Sequence, residues 1–138
     1  MKLKTLLVAS ALAVTLTMTG CAHDNKQAGR KDRVVKLGKI TVLGWTQAAR
    51  LPDGSRLQYI NVTNDSRCKP NVQCVWAGQA DANFRYMPVN GAPYNFTMKI
   101  PQELTKRVGN YYMTIDSLEQ IGPNASTPPA IVRFRPAN

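Results

Sequence analysis

Apolar and polar residues alternate through most of the chain after residue 33, and this period of two predicts β-strands. In Gln79–Met87, the side chains of Ala80, Ala82, Phe84 and Tyr86 fall on one face, because successive residues of a strand point to opposite sides of a sheet. The same alternation predicts six strands, over Val34–Leu43, Leu57–Thr63, Gln79–Met87, Tyr94–Ile100, Tyr111–Leu118 and Ala130–Arg135.

Residues that favour turns separate these strands. Asn90–Gly91 predicts a tight hairpin turn, because both residues tolerate positive φ, and Pro52–Gly54 predicts a second turn. Gln102–Arg107, which follows Pro101, is the only segment of the domain whose sequence predicts a helix, of one or two turns. Gly122–Pro129 contains three prolines and predicts an exposed loop before the last strand.

Six or seven short strands, each with one apolar face, predict an all-β domain. A small antiparallel β-sandwich and a small barrel both fit this pattern, and the alternation does not choose between them. The fourth predicted strand is expected to turn four side chains toward the core, those of Tyr94, Phe96, Met98 and Ile100.

The first twenty residues differ in composition from the rest and predict an export signal. Lys2 and Lys4 give a basic start, and Leu6–Met18 is an apolar run that ends at small residues. Because spanning a bilayer takes about 20 apolar residues, this run is too short to be a comfortable membrane helix. The chain therefore divides into a signal segment (1–20), a polar tether (21–33) and a β-domain (34–138).

The signal segment ends in Met18–Cys21, with the sequence Met-Thr-Gly-Cys, which resembles the lipobox of bacterial lipoproteins; Met18 stands where that family usually has Leu. The resemblance implies that the chain is cut before Cys21 and that Cys21 carries several acyl chains, which anchor a protein far more firmly than one chain does. Ala22 follows, in the position where an Asp directs enteric lipoproteins to the inner membrane. The resemblance therefore implies an outer-membrane lipoprotein that faces the periplasm, with the inner membrane as the alternative.

Charge distinguishes the tether from the domain. The chain carries 18 Lys and Arg against 8 Asp and Glu, a formal net charge of +10. Residues 22–33 show no apolar periodicity, and six of the cations lie between Lys26 and Lys39. A solvated, flexible tether explains this composition, and attraction to anionic headgroups, anionic glycans or peptidoglycan carboxylates is the alternative. Nucleic acid is not expected as a partner, because an exported chain rarely meets it.

Two further cysteines, Cys68 and Cys74, lie within the predicted domain. In an oxidising compartment they are expected to pair, and the chain-entropy estimate for such a loop gives about 2.4 kcal/mol of stabilisation. Metal binding and redox catalysis are the alternatives. Both are disfavoured because the five-residue gap is not the Cys-x-x-Cys spacing, and no metal ligand or cofactor is predicted.

The residues around these cysteines resemble a block of small, uncharacterised exported bacterial proteins with an all-β domain. That block reads Asp-Ser-Arg-Cys-Pro, a short loop, and Cys-x-Trp-x-Gly; here Lys69 precedes Pro70. The resemblance covers Leu57–Ala80 well and Gly109–Leu118 loosely, and it implies the fold and the disulfide.

We expect a strand that ends at residue 65 and another that restarts at residue 75. Asp65 is expected to cap the loop or pair with Arg67, and Trp76 to pack in the core or on the disulfide; a ligand-facing edge formed by Asp65, Arg67 and Trp76 is the alternative.

No catalytic constellation is evident in the sequence. His23, in the tether, is the only His, so no His–carboxylate–nucleophile set can form in the domain, and its carboxylates are scattered. We therefore expect a non-enzymatic envelope lipoprotein that binds or supports another envelope component. A periplasmic inhibitor or immunity protein against a cell-wall hydrolase is the main alternative, by analogy of fold alone. An enzyme acting on glycans or lipids is a third hypothesis, which nothing in the sequence favours.

Overall fold

Two sheets contain the nine strands of residues 31–119 and 127–138, which are the residues that the computed structural model describes. The five-stranded sheet has the spatial order β1 (Arg33–Val34), β3 (Ala48–Arg50), β4 (Arg56–Thr63), β5 (Ala80–Met87), β6 (Tyr94–Ile100). The four-stranded sheet has the order β2 (Ile40–Leu43), β9 (Ala130–Pro136), β8 (Tyr111–Leu118), β7 (Thr105–Val108). The predicted all-β class is confirmed, and the two sheets make the domain sandwich-like.

The core lies between the sheets and is built from the inward side chains of both. Tyr59 and Phe84 come from the five-stranded sheet, Met113 and Phe134 come from the four-stranded sheet, and all four are fully buried. Their burial removes a large apolar area from water, which is the main term that favours the folded state. The Tyr59 hydroxyl donates a 2.7 Å hydrogen bond to the carbonyl of Pro128, so its polar end is satisfied within the core.

A β-bulge changes which residues of β4 face inward. The register with β5 shifts between Tyr59 and Asn61. Leu57 and Tyr59 are buried before the bulge, whereas Val62 packs against the core after it. The extra residue therefore reverses the two faces of the strand partway along its length.

The predicted inward face of the third strand is confirmed, but that of the fourth is confirmed only in part. Met98 is fully buried and Phe96 and Ile100 are half-buried, whereas Tyr94 is 46% exposed. Tyr94 is the first residue of an edge strand, where little of the other sheet covers it, and its ring lies 5.5 Å from that of Tyr86.

The prediction of one continuous strand over Val34–Leu43 is wrong. The segment forms β1 and β2, which lie at the edges of different sheets and are joined by a turn at residues 36–39. Val35 is buried where the chain crosses, and the backbone amide of Gly38 donates a 2.8 Å hydrogen bond to the carbonyl of Phe134 in β9. The pairing of β1 with β3 is parallel, unlike the other pairs in the described sheets.

Two short strands were not predicted, which raises the number in the described residues above the expected six or seven. Gln102–Arg107 does not form a helix; Thr105–Val108 is β7 and pairs with β8. An isolated segment of one or two turns has little helical stability, so pairing with β8 decides its conformation. Ala48–Arg50 forms β3, a strand too short to show alternation.

The predicted turns at Pro52–Gly54 and Asn90–Gly91 join β3 to β4 and β5 to β6.

Some predictions lie outside the described residues. These are the signal segment, the lipidation site Cys21, and residues 22–30 of the tether. Residues 120–126 of the predicted Gly122–Pro129 loop also lie outside. Near the predicted domain boundary, β1 begins at Arg33, and the Asp32 carboxylate lies 2.7 Å from Nε of Arg56 in β4.

The connections of the sandwich collect at its two ends. At one end, which we call the entry end, lie the turn at residues 36–39, the Pro52–Gly54 turn, and the turns joining β5 to β6 and β7 to β8. β1, the first strand after the tether, pairs with the last residues of β3 at this end. At the other end, which we call the loop end, lies the long connection between β4 and β5, together with the ends of β2 and β8.

We predict that Gly109→Ala destabilises the domain more than Gly38→Ala. Both glycines have positive φ, +58° and +74°, so both substitutions incur backbone strain of about 1 kcal/mol. A Cβ at Gly109 would also meet the Tyr86 hydroxyl, whereas nothing lies within 4 Å of one at Gly38. Urea unfolding is expected to show a loss of about 2 kcal/mol or more for Gly109→Ala. Equal losses for the two variants would contradict this packing.

Candidate functional site

The connection between β4 and β5, residues 64–79, carries both described cysteines, and we call it the cysteine loop. β4 ends at Thr63 and β5 begins at Ala80, so the expected strand limits at residues 65 and 75 are wrong. Backbone hydrogen bonds continue irregularly beyond the strands, from Ser66 to the Gln79 carbonyl (2.8 Å) and from Cys68 to the Ala77 carbonyl (3.3 Å). The base of the loop is therefore held as an extension of the β4–β5 hairpin.

The predicted disulfide between Cys68 and Cys74 is confirmed. The two sulfur atoms are 2.09 Å apart and the two Cα atoms 5.9 Å apart. The bond closes the tip of the loop immediately beyond the last backbone hydrogen bond at its base. Residues 69–73 are thereby confined to a small covalent ring, which limits the conformations that the tip can adopt.

Gly78 allows the two sides of the loop to approach each other closely. Its φ is +71°, and a Cβ at this position would collide with the backbone carbonyl of Ser66. The Ser66 hydroxyl also accepts a 3.1 Å hydrogen bond from the backbone amide of Gln79. The glycine of the Cys-x-Trp-x-Gly pattern is therefore explained by backbone geometry at the base of the loop.

Arg67 joins the cysteine loop to both Asp65 and the opposite sheet. Its Nε and Nη2 atoms donate hydrogen bonds of 2.8 and 2.6 Å to the two oxygens of Asp65, and its Nη1 donates one of 2.8 Å to the Leu118 carbonyl in β8. The Arg67 side chain is only 15% exposed. The expected pairing of Asp65 with Arg67 is confirmed, and a 3.2 Å hydrogen bond from the Arg67 amide to Asp65 confirms the capping as well.

The Asp65–Arg67 pair alters the protonation of both groups. Hydrogen bonds from the Arg67 side chain hold the pKa of Asp65 below its ordinary value of 3.8. The same hydrogen bonds raise the pKa of Arg67. Nearby Tyr59 has a raised pKa, chiefly because burial disfavours its phenolate. The pair therefore stays ionised at neutral pH and acts as a fixed, bidentate link.

Trp76 does not pack in the core or on the disulfide, contrary to expectation. Its side chain is 84% exposed, and its neighbour Val75 is fully exposed. Val72, inside the disulfide ring, is 55% exposed. We call Val72, Val75 and Trp76 the apolar tip of the cysteine loop.

The structure therefore separates the three residues of the predicted binding edge. Asp65 and Arg67 contact each other at the base of the loop and have a structural role, whereas Trp76 lies at the exposed tip. Val72 and Val75 belong to the tip but were not predicted. The signal available for Val75 was the run of apolar residues around Trp76, which does not alternate with polar residues as one face of a strand would.

Within residues 31–119 and 127–138, no three His, Cys, Asp or Glu residues lie together in an arrangement that could hold a metal ion. The same residues contain no helix that is long and apolar enough to cross a bilayer. Comparisons of the chain with known proteins found no matching family model, curated protein or solved structure.

We predict that Asp65→Asn lowers the free energy of unfolding at pH 7 by about 1–2 kcal/mol, because it leaves the largely buried Arg67 without its carboxylate partner. Since the folded-state pKa of Asp65 is depressed, its contribution is present above pH 3.8 and is lost as the pH falls further. Urea unfolding between pH 2 and 7 is therefore expected to be less pH-dependent in the variant.

The matched control for this variant is Asp116→Asn, which breaks an exposed ion pair with Arg133 (3.0 Å). Its expected cost is below about 0.5 kcal/mol. If Asp65→Asn costs no more than Asp116→Asn, then Arg67 does not hold the loop in the way that its contacts indicate.

Proposed function

We propose that the protein is a lipid-anchored lipoprotein of the bacterial outer membrane whose β-domain faces the periplasm and binds another envelope component without catalysing a reaction. The observation that carries the binding role is the apolar tip: Val75 and Trp76 are exposed on a loop that is held by a backbone ladder and the Asp65–Arg67 pair at its base and by a disulfide beyond them. Exposed apolar groups on a constrained loop are typical of interaction sites.

The proposed anchor is supported by the sequence. The basic start, the apolar run and the lipobox-like Met18–Cys21 together favour export and acylation at Cys21. Ala22 in the following position favours the outer membrane over the inner membrane. The tether between Cys21 and the domain is polar and would let the domain reach partners near the membrane.

The proposed binding role is supported by the constraints on the loop. Binding through a flexible segment loses affinity because the segment must be ordered first. Here the disulfide and the Arg67 contacts order the loop before any partner arrives. Trp76 can then bury a large apolar surface in a pocket of the partner at little further entropic cost, as tryptophan does at the centre of many interfaces.

A second candidate function is inhibition of a cell-wall hydrolase, as an inhibitor or immunity protein. The shape of the cysteine loop favours it. Residues 69–77 are all exposed, so the disulfide-closed tip stands clear of the two sheets. A constrained, protruding loop that exposes Val72, Val75 and Trp76 can enter the concave cleft of an enzyme.

The anchor is tested by intact-mass analysis of the protein purified from membranes of a bacterial host. We expect a chain that begins at Cys21 and carries the mass of a diacylglyceryl group and an N-acyl chain, and we expect Cys21→Ser to abolish both. Sucrose-gradient fractionation is expected to place the native chain with the outer membrane. A processed chain with an unmodified Cys21 would contradict the proposal.

The binding role is tested by photo-crosslinking in living cells. A photoreactive amino acid at position 76 is expected to give a discrete adduct with one envelope component, and Val75→Ser is expected to reduce its yield at least fivefold. Val42, which is 42% exposed in β2, is the matched control: probes at position 42 and Val42→Ser should have no such effect. Equal adducts from both positions, or none from position 76, would rule out the tip as the binding site.

The identity of the adduct separates the two candidate functions. If the partner is a cell-wall hydrolase, the purified protein is expected to inhibit it and Trp76→Ala to relieve the inhibition. If the partner is a structural envelope component, no hydrolase should lose activity when the protein is added.

A further inference from the structure

Basic residues are concentrated at the entry end of the sandwich. Two acidic residues, Asp32 and Asp53, lie at this end, and Asp32 is paired with Arg56. The basic residues there include those in the turn between β1 and β2, at the β3–β4 turn, and near the ends of β7 and β9: Lys36, Lys39, Arg50, Arg56, Arg107 and Arg135.

The loop end is close to neutral. Its basic residues, Arg67, Lys69, Lys99, Lys106 and Arg133, are matched by an equal number of carboxylates. Those carboxylates are Asp65, Asp81, Glu103, Asp116 and Glu119. The domain is therefore polarised along its strands, with the net positive charge at the end where the tether joins.

The register of the four-stranded sheet aligns part of this charge on its outer face. Arg107 in β7, Tyr112 in β8 and Arg135 in β9 lie directly opposite one another. The Arg135 guanidinium lies 5.1 Å from the centre of the Tyr112 ring, which limits its freedom without neutralising its charge. A row of two arginines about one tyrosine is well suited to anionic headgroups at a membrane interface.

Apolar side chains accompany the basic residues at the entry end. Val34 is 76% exposed, Ile40 is 59% exposed, and Leu37 lies exposed between Lys36 and Lys39. Solvent-exposed apolar groups interspersed with lysines and arginines are typical of surfaces that lie on a bilayer, where the charges contact headgroups and the apolar groups enter the interface.

The attachment point of the tether favours this end of the domain as the one that meets the membrane. Ten peptide units separate Cys21 from Lys31, so the tether can extend to about 35 Å at most. The tether joins the domain at β1, beside the basic residues, whereas the cysteine loop lies a strand length further away, about 25 Å. An anchor at Cys21 would therefore keep the entry end within reach of the lipid surface and raise its effective concentration there.

We propose that the entry end is a membrane-docking surface for anionic phospholipid headgroups and that it orients the domain with the cysteine loop pointing away from the bilayer. This inference rests on the proposed anchor for its location in the cell. A bilayer fits better than an acidic protein because the basic residues are distributed across both sheets and the turn between them, as contact with a flat surface requires.

The docking surface is tested with the lipid-free chain from Ala22 to Asn138, which retains both sheets and the whole described core. It is sedimented with vesicles of phosphatidylcholine alone or with 30% phosphatidylglycerol. We expect binding only to the anionic vesicles. Lys36→Gln with Lys39→Gln is expected to weaken it about 25-fold, on the basis of the contribution of each Lys or Arg at an anionic surface.

The matched control is Lys69→Gln with Lys99→Gln, which removes the same charge from exposed side chains at the loop end. It is expected to change binding less than twofold. Equal losses in the two double variants would mean that net charge alone drives binding, and absent binding to anionic vesicles would overturn the proposal. If the protein sediments with peptidoglycan sacculi and not with vesicles, the surface binds an anionic glycan, and the proposed membrane docking is overturned.

The orientation is tested by fluorescence. Both tryptophans of the chain, Trp45 and Trp76, lie at the loop end. Brominated lipids in the anionic vesicles are therefore expected to leave tryptophan emission unchanged on binding, whereas quenching would show that the cysteine loop enters the bilayer. These experiments use a chain without acyl groups, so their failure would be distinct from the failure of lipidation at Cys21, which the mass analysis reports.

Discussion

The guanidinium of Arg67 is the contact on which the exposed site of this domain depends. It binds both oxygens of Asp65 in its own loop and the Leu118 carbonyl at the end of β8 in the other sheet. A largely buried cation is stable only when its donors are satisfied, so this contact holds the cysteine loop against the end of the sandwich. With the base of the loop held in this way, Val75 and Trp76 are exposed beyond it.

The two ends of the sandwich differ in chemistry, and this difference gives the domain a direction. The loop end is balanced in charge and carries a rigid apolar tip, whereas the entry end is basic and receives the tether. An anchored protein with this polarity would present its tip away from the lipid surface, where a partner can reach it. The proposed anchor, the proposed docking surface and the proposed binding tip therefore require the same orientation, although each rests on different residues.

Much of the fold could be predicted because burial on one face imposes a period of two. The inward residues of β5 were predicted correctly for this reason. The hairpin turn at Asn90–Gly91 was predicted because both residues tolerate positive φ, and the disulfide because two cysteines of an exported domain are expected to pair. Short elements were not predicted, because β3 and β7 hold too few residues for a pattern and owe their conformation to pairing with β4 and β8. The division of Val34–Leu43 was missed because apolar residues continue through a turn that passes between two edges.

The sequence by itself determined the all-β class, because one-sided burial is periodic, and the pairing of Cys68 with Cys74, which are the two cysteines of the domain. It left the contact between Asp65 and Arg67 as one of several alternatives. Only the tertiary structure decided that Trp76 is exposed, since an isolated tryptophan in a loop is compatible with burial or exposure until its neighbours are positioned. It also decided which ends of the strands carry the basic residues. The order of charged residues along the chain does not show which of them share a surface until the directions of the strands are known.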